Sequence, residues 1–202
     1  MRNTITHPAP GSADGNGGQR AGTIGRRTFL RGLGGLAAAA ALNGVPAGVA
    51  EAAGGVRRLR LYNARTGETA DTVYMENGVY VPEALGEIDF LLRDVRTEEI
   101  VAVDSRIVDL MWNIQRLLDT PEPLGITSGY RSPATNRRLV GQGAARNSLH
   151  MEGMAVDVFS RSRSARQIAA AARKMAQGGV GEYRNRNFVH LDVGPVRTWT
   201  RA

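Results

Sequence analysis

The chain has no cysteine among its 202 residues, which excludes disulfides, thiolate metal sites and cysteine nucleophiles. With only three histidines, a bound metal would depend on a few imidazoles and on carboxylates. Aromatic residues make up 5% and the arginines are scattered, which argues against a nucleic-acid partner despite a net charge of +7. A content of 42% hydrophobic and 22% charged residues is typical of a soluble globular protein.

The amino terminus has the composition of a targeting segment. Residues 1–25 are rich in Gly, Pro, Ser and Asn without periodicity, which predicts a disordered region. Arg26 and Arg27 then precede Phe-Leu and an uncharged stretch, residues 32–50, that resembles a twin-arginine export signal. Five glycines, a proline and an asparagine in this stretch make it a poor permanent membrane anchor. We expect cleavage near Ala53 and a protein of the periplasm or cell wall that meets the twin-arginine export machinery.

Residues 53–202 predict a single α+β domain without internal repeats. "RLRLYNARTGETADTVYMENGVYV" predicts a hairpin that turns at "RTGE", whereas "MAVDVF" and "NFVHLDV" predict buried strands. "SPATNRRLV" predicts a helix capped by Ser132, and "SARQIAAAARKMA" predicts another. A longer helix follows an Asp104 or Ser105 cap. Its predicted buried stripe comprises Ile107, Val108, Leu110, Met111, Ile114, Leu117 and Leu118.

The candidate site begins with a charge in an apolar run. Asp157 is flanked by Val156 and Val158, where an unpaired carboxylate would be costly. His150 precedes that strand, and His190 lies on the later one. Two imidazoles and one carboxylate provide three zinc ligands and leave a fourth position open, as in catalytic zinc sites. Taken singly, each of these residues is more often an ordinary half-buried histidine or a salt-bridged carboxylate.

The surrounding motifs carry a family resemblance. Ser-Gly-Tyr-Arg-Ser at 128–132, Ser-x-His-x-x-Gly-x-Ala-x-Asp at 148–157 and "FVHLDVG" resemble the zinc D-alanyl-D-alanine metallopeptidases, most closely the twin-arginine-exported murein endopeptidase branch. The resemblance covers roughly residues 60 to 200. It implies an α+β fold with a central antiparallel sheet and flanking helices, one zinc ion on sheet and loop ends, and hydrolysis of peptide bonds in peptidoglycan.

Residue by residue, the resemblance assigns roles in this chain. His150, Asp157 and His190 match the three zinc ligands. Arg131 matches the arginine that contacts the substrate near the reacting carbonyl, a role that suits a guanidinium with fixed donors. The alternative for Arg131 is a structural ion pair. Ser148 matches a serine near the substrate, although it could instead cap the loop.

The general base departs from the pattern of the related dipeptidases. Those enzymes have a glutamate three residues before the last zinc histidine, and here Asn187 occupies that place. An amide cannot accept the proton of the attacking water. Asp192 is the best substitute, because it shares a strand face with His190 and could contact the water or orient that ligand. Glu182 lies in "GGVGEYRNRN", which its glycines predict to be a loop, and it would need that loop to fold over the metal.

Three functions follow from these residues, in order of preference. The first is a zinc murein peptidase, an endopeptidase that cuts stem or cross-link peptides, with D,D-carboxypeptidase or dipeptidase activity as a variant. The second is a peptidoglycan-binding module that retains the metal but not catalysis, as the missing glutamate suggests. The third is a structural domain without metal.

Overall fold

The structure is a computed structural model that describes residues 55–202. The predicted leader, residues 1–52, lies outside the described residues. The strands are β1 (Arg57–Asn63), β2 (Thr69–Glu76), β3 (Val79–Tyr80), β4 (Leu124–Ser128), β5 (Ala155–Phe159), β6 (Gly179–Tyr183), β7 (Phe188–Asp192) and β8 (Arg197–Arg201). The α-helices are α1 (Pro82–Leu91), α2 (Ser105–Leu118), α3 (Pro133–Val140) and α4 (Ala165–Lys174), and residues Leu149–Glu152 form a 3-10 helix. Within this part of the chain, no helix has the length and apolarity needed to cross a membrane.

The eight strands form one sheet in the order β3-β2-β1-β4-β5-β7-β6-β8. Five neighbouring pairs are antiparallel, including the predicted β1–β2 hairpin and the β5–β7 pair at the candidate site. The β1–β4 and β6–β8 pairs are parallel. The mixed α+β architecture is therefore confirmed, and its large sheet is mostly, but not wholly, antiparallel.

The glycine-rich segment before His190 is not a loop, contrary to the sequence prediction. Residues Gly179–Tyr183 form strand β6, which pairs with β7 on one side and β8 on the other. Glycine is poorly suited to strand interiors, so the segment lacks the composition that normally marks a strand. Neighbouring strands supply its backbone partners and override that preference.

Helices α1, α2 and α4 pack on one face of the sheet and form the hydrophobic core with it. Helix α2 begins where predicted, with the side chain of Asp104 accepting a hydrogen bond from the amide of Arg106. Its buried stripe differs from the prediction at two positions. Leu117 is 48% exposed, whereas Gln115 is buried and bonds both backbone groups of Arg60. Gln115 thus supplies the backbone partners of Arg60, which immediately precedes the part of β1 that pairs with β4.

This difference predicts unequal effects of truncation in helix α2. Ile114→Ala removes a side chain that is 0% exposed, and we expect it to lower the free energy of unfolding by about 2–5 kcal/mol. Leu117→Ala, its matched control on the same helix, should lower it by less than about 1 kcal/mol. Urea denaturation of both variants checks this. Equal losses would contradict the observed packing.

The carboxylate of Asp94 holds the loop that leads into helix α3. It accepts hydrogen bonds from the amide of Arg96 at 2.9 Å and from the amide of Ser132 at 2.8 Å. Burial raises the pKa of Asp94, but hydrogen bonds from the Thr135 side chain, Arg96 and Ser132 outweigh it and lower the pKa to about 2. Because Ser132 is the N-cap of α3, as predicted, Asp94 fixes the backbone immediately after Arg131.

This arrangement predicts a pH-dependent stability effect of Asp94→Asn. The folded-state pKa is depressed, so the carboxylate stabilises the fold above its unfolded pKa of about 3.9, and this contribution is lost as the pH falls toward about 2. We expect the variant to lose about 2 kcal/mol at pH 7 and to approach the wild type near pH 2. Denaturant titrations across that range measure the difference. A constant deficit at every pH would contradict the proposed role of the charge.

Candidate metal centre

Strand β5 places Asp157 on the side of the sheet opposite the core. Val156 and Val158 are fully buried in the core, so the alternation of the strand directs Asp157 to the other face. There it pairs in register with His190 of β7 and with Ser128 of β4. The apolar neighbours therefore position the carboxylate without surrounding it.

His150 is delivered by the 3-10 helix that precedes β5. This helix ends at Gly153, whose φ of 67° lies in the left-handed region and whose missing Cβ would stand 3.2 Å from the carbonyl oxygen of Ala102. The imidazole of His150 is buried, and its Nδ1–H donates to the carbonyl of Gly129 at 2.7 Å. That bond leaves Nε2 as an unprotonated acceptor toward Asp157.

His190 is held in the reverse orientation. Its Nε2 lies 2.9 Å from the Oδ2 of Asp192, to which it donates its proton. Both side chains lie on the same face of β7, as their spacing of two predicts. The Nδ1 atom of His190 is therefore the one directed at His150 and Asp157.

Three acceptor atoms converge as a result. His150 Nε2 lies 3.2 Å from Asp157 Oδ1 and 3.2 Å from His190 Nδ1, and His190 Nδ1 lies 3.0 Å from Asp157 Oδ1. With both outer nitrogens protonated toward Gly129 and Asp192, neutral imidazoles would present two lone pairs to each other and to a carboxylate. Such an arrangement calls for a cation between them.

The donor set fits zinc. Ligands about 2.0–2.1 Å from a tetrahedral ion lie roughly 3.3–3.4 Å from one another, close to the observed separations. His150, Asp157 and His190 form the group of His and acidic residues in the described chain that could hold a metal ion. The outer hydrogen bonds of each imidazole match those of metal-binding histidines, which donate the second N–H to a carbonyl or carboxylate.

The pKa shifts of His150 and Asp157 favour a metal, whereas that of His190 opposes one. Burial lowers the pKa of His150 and keeps its ring neutral. Burial would raise the pKa of Asp157, but His150, His190 and Arg131 hold it far below its usual range. For His190, burial lowers the pKa and hydrogen bonds to Asp157 and Asp192 raise it by more. A proton on His190 therefore competes with the metal as the pH falls.

Arg131 lies against the outer oxygen of Asp157. Its Nη2 forms an ion pair with Asp157 Oδ2, and its Nε donates to the Ser128 hydroxyl at 2.8 Å. The amide of Arg131 also donates to the carbonyl of His150 at 3.1 Å, which fixes the loop to the 3-10 helix. For Nη1, the structure records no hydrogen-bond partner among residues 55–202. Arg131 can therefore form the ion pair with Asp157 and still have an N–H group to donate to a substrate.

The other predicted residues are placed differently. Ser148 is buried at the start of the 3-10 helix and does not cap it with its hydroxyl. Asn187 lies in the β6–β7 turn, where its Oδ1 accepts a hydrogen bond from the amide of Ala165 at the start of α4. Asn187 therefore has a structural contact. Glu182 projects from the face of β6 opposite to Gly181 and pairs with arginines of α4 and of the turn, away from the cluster.

Two residues of the site were missed in the sequence. Arg197 on β8 donates to Asp192 at 2.7 Å, and the ring of Trp199 lies 5.4 Å from that of His190. Arg197 and Trp199 are two residues apart, as side chains on one face of a strand are, and this spacing was the available signal. However, "RTWTR" lacks the apolar residues that mark a strand.

Comparison with known families agrees with this geometry. The model of the family described as peptidoglycan L,D-endopeptidase MepK matches residues 51–199. The chain belongs to the MepK family. Its relatives include the peptidoglycan L,D-endopeptidase MepK of Escherichia coli K12, 37% identical over 175 residues that cover 86% of this chain and 96% of the relative. A probable MepK of Haemophilus influenzae is 35% identical over 146 residues, covering 71% of this chain and 78% of the relative.

Membership in the MepK family confirms the resemblance to the murein endopeptidase branch of the zinc D-alanyl-D-alanine metallopeptidases. The motifs on which that resemblance rested are the segments that carry His150, Asp157 and His190 to one point of the sheet. The spacing of these motifs along the sequence reflects the elements that carry them: β4, the 3-10 helix, β5 and β7.

The geometry predicts the metal stoichiometry. Metal-free protein should bind one zinc ion per chain, and Asp157→Asn should reduce the affinity by at least about 100-fold, because it replaces a charged ligand. Isothermal titration with zinc measures both quantities. Glu182→Gln, a buried acid on the opposite face, serves as the control and should retain one site. Undiminished affinity in Asp157→Asn would contradict the assignment.

Proposed function

We propose that this protein is a zinc-dependent peptidoglycan endopeptidase of the L,D type. Family membership confirms the predicted class, a peptidase that acts on peptidoglycan. The observation that carries the proposal is the convergence of His150 Nε2, Asp157 Oδ1 and His190 Nδ1, with each outer imidazole nitrogen already bonded. The ion would be held by these three residues, with one zinc per chain.

The bond type is proposed from the relatives. The sequence left open whether the cleaved bond joins two D-centres, joins an L-centre to a D-centre, or precedes a terminal D-alanine. Relatives that cover most of this chain are named L,D-endopeptidases. We therefore assign cleavage between an L-centre and a D-centre inside the peptides of the wall, in preference to D,D-carboxypeptidase or dipeptidase activity.

Bound zinc would supply Lewis-acid polarisation of the scissile carbonyl and a water nucleophile at neutral pH. The protein supplies the orientation. Arg131 holds Asp157 by its outer oxygen, and its remaining N–H groups can donate to the carbonyl oxygen on which negative charge develops. Ser148, two residues before His150, is proposed as a substrate contact, since its hydroxyl is not used to cap the helix.

Asp192 is proposed to orient His190. The sequence left two roles open for it, a base or a partner of the ligand, and the contacts favour the second. Its carboxylate is fully buried and accepts hydrogen bonds from His190, from the amides of Gly179 and Gly194, and from Arg197. Burial raises its pKa, but His190, the amide of Gly194 and Arg197 lower it to about 2, and so weak a base is poorly suited to accept a proton at neutral pH.

Export by the twin-arginine route remains part of the proposal. Arg26 and Arg27 before an uncharged stretch support it, and the match to the family model begins only at residue 51. The enzyme would then act in the periplasm or cell wall, where its substrate lies.

Mass spectrometry of purified peptidoglycan tests the function and the bond together. Zinc-loaded protein should release fragments with new amino termini at L,D bonds, and Asp157→Asn should release none because it lacks a ligand. Cleavage at D,D bonds would contradict only the bond assignment. If zinc-loaded protein sediments with sacculi but generates no new amino termini, the proposed peptidase activity is wrong. The protein is then the non-catalytic peptidoglycan-binding module.

The role of Arg131 predicts a loss of rate without a loss of fold. Arg131→Ala should lower kcat/KM by about 100- to 1,000-fold at saturating zinc, the usual effect of removing one donor to a developing oxyanion. Arg131→Lys should recover part of it, since a single ammonium replaces the fork. Arg137→Ala, an exposed arginine of helix α3, is the matched control and should be unchanged. Wild-type turnover in Arg131→Ala would reduce Arg131 to a structural ion pair.

A further inference from the structure

Strand β8 contacts the metal cluster across two glycines of β6. In the register of the sheet, His190 pairs with Gly181, and Gly181 pairs with Trp199. The next row on the same face contains Asp192, Gly179 and Arg197. Side chains of β8 thus extend over a strand that has none at these two positions.

The side chains of Asp192 and Arg197 leave no room for a side chain at Gly179. A Cβ atom on Gly179 would lie 2.4 Å from Oδ2 of Asp192 and 2.7 Å from Nη1 of Arg197. Through this gap, Nη2 of Arg197 lies 2.7 Å from Asp192 Oδ2 and Nη1 lies 3.1 Å from Oδ1. The arginine therefore grips both oxygens of the carboxylate, while the amide of Gly179 donates to Oδ1 at 3.0 Å.

The row of Gly181 is equally narrow. A Cβ atom there would lie 2.4 Å from the indole of Trp199. The indole lies beside the His190 ring, and the guanidinium of Arg197 lies 5.3 Å from its centre. Arg197 and Trp199 consequently support the ligand and its partner carboxylate from the same strand.

We infer that Arg197 is a positioning residue for the metal centre, which acts through Asp192 on His190 and depends on the bare backbone of Gly179. The bidentate contact restricts the rotation of the Asp192 carboxylate, and that carboxylate fixes the ring of His190 through Nε2. Nδ1 is thereby aimed at His150 and Asp157 before a metal arrives. This inference rests on the zinc site proposed above.

Zinc affinity of the metal-free full chain tests it, measured by competition with a chromophoric chelator. Arg197→Gln should weaken binding by about 10- to 100-fold, the usual effect of losing an outer partner of a metal ligand. Arg197→Lys should recover part of the affinity. Gly179→Ala should weaken it similarly without removing any charge, because the new methyl group occupies the gap. Arg201→Ala, an exposed arginine of the same strand, is the control and should bind as the wild type does.

Combining the two substitutions distinguishes a positioning role of Arg197 from a general disruption of the fold. If both changes break one contact, Arg197→Gln combined with Gly179→Ala should weaken zinc binding no more than the stronger single change. Cobalt-substituted Arg197→Gln should show an altered visible absorption band, whereas Arg201→Ala should not. Wild-type affinity in Arg197→Gln or in Gly179→Ala, or effects that multiply independently, would overturn the inference. So would failure of both variants to fold, which would make the contact a folding element.

The wild-type titration keeps the two proposals apart. If the wild type does not bind zinc, the metal centre itself is wrong. If the wild type binds one zinc and the β8 variants bind it equally well, the metal centre stands and the role of Arg197 falls.

Discussion

Two hydrogen bonds at the outer nitrogens of the imidazoles determine what this site can do. His150 gives its Nδ1 proton to the carbonyl of Gly129, and His190 gives its Nε2 proton to Asp192. Each bond fixes the tautomer and turns the opposite nitrogen toward Asp157. The rest of the structure secures those acceptors: the loop after β4 presents Gly129, and β7 presents Asp192 two residues from His190. A cation is the natural complement of three acceptors about 3 Å apart.

The two faces of the sheet have different roles. Val156, Val158, Val189 and Leu191 face the helices and provide the buried area that holds β5 and β7 in register. The alternate residues face the metal centre and are free to be polar. This arrangement explains how a carboxylate lies in a strand that looks wholly apolar in the sequence. It also explains why Glu182, one residue from Gly181, belongs to the helix side of the sheet.

Much of this could be predicted from the sequence where local signals were strong. The β1–β2 hairpin, the caps Asp104 and Ser132, and strands β5 and β7 follow from turn residues, capping residues and apolar runs. The three acceptors were found because few histidines were available and a family motif linked them. Strands β6 and β8 were not predicted, because glycines and arginines replace the usual apolar residues there. Their partners are distant in sequence, and so the contact of Arg197 with Asp192 became visible only in three dimensions.

The proposed metal centre requires that His150 and His190 bind through different ring nitrogens. Long-range proton–nitrogen correlation spectra of uniformly 15N-labelled protein, recorded with and without zinc, report the state of each ring nitrogen directly. We expect zinc to shift the resonances of Nε2 of His150 and Nδ1 of His190, while Nδ1 of His150 and Nε2 of His190 stay protonated. No shift in either ring on addition of zinc, or coordination of both rings through Nε2, would contradict it.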